Sequence, residues 1–277
     1  MLRSWPVNEL KSIARYVNPM VWGYVADLSK YRNFPKSLWK RYSQAFRSLW
    51  VASSFKGALK AWSNFVPTKQ HMENHLSWLK IINELQKSKV TVTGIALTGW
   101  SRFDHYGPMC ELLPAGIPTL ALCLEIIKAG EFNHDIHLKV SQMLGFSEDF
   151  NLNVDYFKKY TPEKAIYIGS DVYILVGQLE HALGYHNWGA TRVTGWNRPF
   201  QIRKGQVSYY HLNASLHANE VSLKKLVTLK DSSREILSKY FDDATVDEWI
   251  LDKIDYSITE VNSTIQKLRT GIRSIKT

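Results

Sequence analysis

Cysteine is scarce: Cys110 and Cys123 are the two among 277 residues. That is too few for a disulfide-stapled scaffold and suits a reducing compartment. They lie thirteen residues apart, in an expected loop and an expected helix. A disulfide between them is not expected, though the spacing alone does not forbid one. No apolar run nears the roughly 18 residues that span a bilayer. Residues 1–6 carry no apolar core segment, so neither a secretory leader nor a membrane partner is expected. Internal repeats, low-complexity tracts, zinc-finger spacings and RNP motifs are all missing. The net charge of +10 raises nucleic acid as a partner. The basic residues are scattered, however, and cluster only in pairs such as Lys158-Lys159 and Lys224-Lys225. The charge therefore reads as an evenly solvated surface, and no nucleic-acid partner is expected.

What is present suffices for a real core, with 45% hydrophobic residues. Ten tryptophans are many for this length. They suit either a Trp-rich core or a pocket whose flat apolar faces meet sugar rings or bases.

The first half alternates. Residues 18–24 ("NPMVWGY"), 48–55 ("SLWVASSF") and 92–100 ("VTGIALTGW") read as short apolar strands. Between and after them, residues 34–46, 71–88 and 110–130 read as helices. In residues 71–88 the apolar stripe falls on Leu76, Leu79, Ile82 and Leu85, and Gly130 reads as a helix stop. Alternating strand and helix is the parallel α/β pattern, whose strands should be covered on both faces. Each strand ends in chemistry: Trp22-Gly23-Tyr24, then residues 53–57, then the crowd from Trp100 to Tyr106. In a (β/α) barrel the residues just after each strand gather on one rim and build the active site. From Phe132 the pattern becomes helical, in residues 134–146, 170–185, 217–241 and 244–272. Residues 191–206, "TRVTGWNRPFQIRKGQ", read as a Gly/Pro/Asn-containing loop. The expected domains are residues 1–131 and 132–277.

The stretches "MVWGYVADL", "LWVASSFKGA" and "GIALTGWSRFDHYGPMCELLPAGIPTLALCL" resemble the hexosaminidase D branch of the family 20 glycoside hydrolases. "RVTGWNRPFQIRK" and "DDATVDEWI" resemble its C-terminal region. The match runs along nearly the whole chain, and the "TGWSRFDHY…CELLPAGIP" block is its most specific part. The resemblance implies an α/β fold, the C-terminal part of a TIM (β/α)8 barrel followed by an α-helical region. It also implies hydrolysis of terminal non-reducing β-N-acetylhexosamine, of galacto or gluco configuration, in the cytoplasm or nucleus. Family 20 enzymes use a substrate-assisted retaining mechanism. The substrate's acetamido oxygen attacks the anomeric carbon, an Asp orients the acetamido group, and the adjacent Glu protonates the leaving oxygen.

That Asp-Glu pair follows a mid-barrel strand in the family. Here the only adjacent Asp-Glu is Asp247-Glu248, in an amphipathic helix near the C-terminus. It reads as a solvated helix face, so no catalytic residue is expected in this chain. The chain is expected to be an incomplete, inactive part of the barrel, with an unpaired strand edge near Val21 that favours homo-oligomers.

The substrate-binding residues expected from the resemblance are Trp22, Tyr24, Trp100, Arg102, Asp104 and His105. Tyr24 would hold the acetamido carbonyl, in a Trp-Gly-Tyr where relatives show Trp-Asp-Tyr. Trp100 would wall the sugar ring, with Trp22 and Trp50 in lesser roles. Arg102 either holds a hydroxyl or, as its favoured use, pairs with Asp104 to shape the rim. His105 is an acid–base candidate, better read as a rim hydrogen bond. His71 and His75, at i and i+4, have chelating spacing, but the family needs no metal and no cofactor is expected. The partner is a carbohydrate. A non-catalytic carbohydrate-binding or scaffold remnant is the alternative.

Overall fold

A computed structural model describes residues 4–146 and 166–276. They form two compact units, with residues 4–146, 166 and 167 in the first and 168–276 in the second.

The first unit contains three strands, β1 (Met20–Trp22), β2 (Ser48–Lys56) and β3 (Thr91–Gly99). They pair in parallel in the order β1-β2-β3. Around them lie α1 (Val7–Ile13), α2 (Lys36–Ala45), α3 (Thr68–Lys87), α4 (Leu113–Ala129) and α5 (His134–Leu144). Successive parallel neighbours joined through helices are βαβ units, as the alternation required. A closed barrel is not formed among the described residues. Gly130 and Gly145 stop α4 and α5 in the left-handed conformation, as their positions foretold. In α4, Pro118 has no N–H to offer the Pro114 carbonyl one turn back, and the Tyr167 hydroxyl donates to that carbonyl instead, at 3.1 Å.

The two faces of the sheet differ. Val21, Leu49 and Val51 pack with Trp78, Leu85, Leu10 and Phe34 in one apolar core. On the opposite face the register aligns Met20 with Trp50 and Trp22 with Ala52. There Met20 is 53% exposed, Trp22 57% and Trp50 36%. The expectation of strands covered on both faces therefore holds for most of β2 and fails for β1 and β3. Apolar composition reports that a strand dislikes water, not that a second layer is present to shield it. Trp50 lies over Gly94 of β3, where an added Cβ would come within 2.5 Å of the indole.

A second correction concerns α3. Its deeply buried residues are His71, Met72, Asn74, His75, Trp78 and Leu85, while Leu76, Leu79 and Ile82 are only half-buried. A three-residue spacing slips about 60° around a 3.6-residue helix at every step, so that leucine series spirals off the core face. The 71-74-75-78 series stays on it, and its polar members are admitted because each finds a hydrogen bond.

The second unit is helical: α6 (Ser170–Trp196), α7 (Pro199–Arg203), α8 (Tyr209–Leu237), α9 (Asp243–Trp249) and α10 (Tyr256–Lys276), with a π-helical turn over Ile250–Asp255. The expected loop over residues 191–206 is overturned. Helix α6 runs through Gly195 to Trp196, and Pro199 opens α7 at a position where its missing N–H costs nothing. Breaks remain only around Asn197 and from Lys204 to Ser208. The Asn197 side chain accepts from the Ser208 backbone N–H and ties the two breaks together.

Candidate active site

The carboxyl ends of the three strands carry the site. At the first, Trp22 and Tyr24 lie on one side of the chain, with ring centroids 5.4 Å apart and planes inclined by 31°. Gly23 between them is buried and is the anchor. Its carbonyl accepts from Asn74 Nδ2 and from Trp78 Nε1, both at 3.0 Å, and its N–H donates to Ala52 O. Asn74 also donates to Val25 O at 2.6 Å. A side chain at position 23 would meet Leu28 and Phe34 within 3 Å. The departure from Trp-Asp-Tyr thus falls at a position that faces the helix-side core.

At the end of β2, polar residues are fully enclosed. The Ser53 hydroxyl donates to His75 Nε2 at 2.8 Å, and His75 Nδ1–H donates to His71 O at 2.7 Å. His71 Nδ1–H donates to Ser54 O, also at 2.7 Å. A carbonyl accepts only, so both rings carry their proton on Nδ1. Burial holds both imidazoles neutral, with pKa values lowered to about 4. The spacing that would suit a chelate is instead committed to bracing strand β2.

Lys56 and Glu111 are each 2% exposed. Lys56 Nζ donates to the Trp100 carbonyl at 2.7 Å, and Glu111 accepts from Gly57 N–H at 2.7 Å. Burial pushes the lysine below and the carboxyl above their ordinary ranges, and each charge counters the shift of the other. Gly57 sits at φ +67°, and a Cβ there would strike the Trp100 carbonyl at 2.0 Å. Lys56, Gly57 and Glu111 thereby fix the backbone that presents Trp100, whose side chain is 49% exposed.

Beyond Trp100 the rim loop closes on itself. Arg102 donates to Gly107 O at 2.8 Å, and Asp104 accepts from Tyr106 N–H at 2.9 Å. Arg102 and Asp104 thus shape the rim, each through a bond to loop backbone. Asp104 and His105 are exposed and Arg102 is half-buried. Cys110 and Cys123 are buried thiols that form no disulfide, and burial pushes the Cys123 thiol upward. Asp247 of α9 is exposed and pairs with Arg234, whereas its neighbour Glu248 is half-buried.

The structure therefore brings Trp22 and Tyr24 together on one strand end, and places Trp100, Arg102, Asp104 and His105 on one rim loop. A groove of about 600 Å³ runs between α2 and α3, lined by Trp39, Lys40 and Lys80, and none of the six expected site residues lines it. Sequence reasoning passed over Lys56, Glu111 and Asn74. For Lys56 and Glu111 the signal was a charged residue beside an apolar stretch, which in a folded core implies a partner; Asn74, among polar neighbours, carried none.

No family model matches the chain. Among curated proteins, hexosaminidase D of Homo sapiens is 31% identical over 281 residues, covering 97% of this chain and 55% of that protein. Hexosaminidase D of Bos taurus is 39% identical over 150 residues, covering 53% of this chain and 42% of that protein. The chain spans about half the length of the curated relatives it matches. The resemblance first read in the strand-end motifs is thereby established, and along nearly its whole length this chain is a relative of hexosaminidase D.

Proposed function

We propose that this chain contributes the sugar-holding rim of a β-N-acetylhexosaminidase, a glycosidase acting on terminal non-reducing N-acetylhexosamine. In this reading β1, β2 and β3 are late strands of a (β/α)8 barrel working in the cytoplasm or nucleus. The observation that carries it is the set of exposed aromatic groups at the carboxyl ends of β1 and β3, the outer two of three parallel strands. The backbone beneath each is braced from behind, that of Trp22 and Tyr24 at Gly23 and that of Trp100 by Lys56. An indole face held in advance loses little entropy when a pyranose ring covers it.

In the proposed mechanism Trp100 walls the ring and the Tyr24 hydroxyl donates to the acetamido carbonyl. The acetamido oxygen then meets the anomeric carbon in attacking geometry. In the family the proton for the leaving oxygen comes from a Glu next to an Asp, whereas the adjacent Asp-Glu of this sequence, Asp247-Glu248, lies in α9. That supports one further reading, carbohydrate binding without turnover.

Titration of the chain with N-acetylgalactosamine, followed by NMR of the ligand, separates these readings from a fortuitous aromatic surface. Trp100→Ala should weaken binding by about tenfold, and Tyr24→Phe should erase the preference for N-acetylgalactosamine over galactose. Equal binding by all three proteins would remove the rim from consideration. A chromogenic β-N-acetylgalactosaminide should not be hydrolysed by the purified chain. Hydrolysis that disappears on Glu248→Gln would overturn the assignment of Asp247-Glu248 to the surface.

A further inference from the structure

The hairpin tip of the second unit combines unopposed cations with exposed apolar side chains. Between Glu180 and Glu220 there is no Asp or Glu, while Arg192, Arg198, Arg203 and Lys204 all fall there. Counted over the whole chain the charges look scattered; counted along this hairpin they have one sign. The same segment exposes large apolar groups: Trp196 at 58%, Phe200 and Ile202 at 55% each, and Tyr210 at 71%. Helix α7, which carries Phe200 and Ile202, buries none of its residues.

This tip is built, not frayed. Trp196 stacks on His211 with centroids 4.1 Å apart and planes inclined by 12°, which joins the end of α6 to the start of α8. Arg192 lies over the Trp188 ring at 4.6 Å. The Asn197 side chain, 6% exposed, holds Ser208. A five-residue helix with Phe and Ile outward has no reason to fold in water alone, since its apolar groups gain nothing there.

The geometry points to α7 and its flanking turns as a contact for an anionic membrane surface, lying on the lipid rather than crossing it. No helix among the described residues is long and apolar enough to cross. Phe200 and Ile202 would enter the acyl boundary, and Trp196 and Tyr210 would sit at headgroup depth. Arg198, Arg203 and Lys204 would meet the lipid phosphates. The exposed isoleucine favours lipid over nucleic acid or glycan, because a base or sugar is gripped by ring faces, which Ile202 lacks. The expectation of no membrane partner rested on the missing spanning run and leader, neither of which bears on a segment that lies on the lipid surface. The inference stands apart from the glycosidase reading.

The test is co-sedimentation of the full chain with phosphatidylcholine vesicles, with and without phosphatidylserine. The chain should pellet only with the anionic vesicles and be released by salt. The triple variant Arg198→Gln/Arg203→Gln/Lys204→Gln should partition about a hundredfold less, at roughly fivefold per cation. Phe200→Ser/Ile202→Ser should also lose binding, while Arg234→Gln, on an exposed site of α8, should bind as wild type. All the altered side chains are exposed or lie on a helix with no buried residue, so folding should survive, as circular dichroism will show. Equal pelleting with both vesicle types, no pelleting, or undiminished binding by the two tip variants would overturn the inference. So would a single-stranded RNA bound more tightly than the vesicles, with its binding lost in the triple variant and kept in Phe200→Ser/Ile202→Ser.

Discussion

The first unit encloses ionisable side chains: Lys56, Glu111, His71 and His75 are each no more than 2% exposed. The second encloses Ser215, Asn219, Ser222 and Ser233, which carry no charge. Its ion pairs, such as Arg234–Asp247 and Arg269–Glu220, lie in solvent. Lys253, with a buried stem and an ammonium paired to Asp252, and His211, stacked on Trp196, are the exceptions. In the helical unit the buried hydroxyls and amides answer helix backbone: Ser222 donates to Ala182 O of the neighbouring helix, and Asn219 and Ser233 donate to Ser215 O and Leu229 O one turn back in their own. In the sheet unit the buried charges answer strand-end loops, where backbone groups project without a ladder partner. Charge is buried where the rim must be held, and its burial makes that unit sensitive to substitution and to pH.

The largest effect should follow Lys56→Met, which leaves Glu111 enclosed without its counter-charge. A loss of about 3–5 kcal/mol is expected, with much of it recovered in Lys56→Met/Glu111→Leu. Urea unfolding of the four members of that double-mutant cycle measures it. Additive losses would show that the two groups act separately.

Acid should come next. The histidines bind protons in the unfolded chain near 6.5 and in the folded one near 4. Their folded pKa values are depressed, so the unfolded state takes up protons first and stability falls as pH drops from 6.5 towards 4. At pH 5 the loss is about 2 kcal/mol per histidine. Hydrogen exchange should show it in peptides from the first unit, while those from α6 and α8 stay protected. Uniform loss across both units would contradict the comparison.

A smaller cost, about 1–3 kcal/mol, is expected for Gly94→Ala, because Trp50 must leave its place over that glycine. The pairing of β2 with β3 should loosen together with it, visible as faster exchange at Ala96 and Leu97. In the second unit Arg234→Ala removes an ion pair that lies in water and should leave the unfolding midpoint where it was.

Where the sequence spoke in backbone terms it was legible. The three strands were readable because apolar runs end abruptly at Lys56-Gly57 and Gly99-Trp100, and Gly130 and Gly145 marked their helix ends. Where the outcome depended on a distant partner it was not. His71, Asn74 and His75 look like the wet face of α3 until Ser53, Ser54 and the carbonyl of Gly23 are set opposite them. Gly195, Asn197 and Pro199 look like a loop, yet the packing of α6 on α8 carries the helix through to Trp196. The candidate site was legible as residues and illegible as mechanics, since nothing near Trp100 in sequence announces that Lys56 holds its carbonyl.

The carbonyl of Gly23 already takes two donors, which uses both of its lone pairs, and that of Trp100 takes the ammonium of Lys56. A pyranose seated in the proposed rim would find those main-chain acceptors taken. Choice between epimers that differ at one hydroxyl would then fall to interchangeable side chains, not to the fixed backbone. Sugar preference should accordingly be easy to retune: a combinatorial library confined to positions 24 and 105 leaves the bracing beneath untouched while rewriting what the rim selects.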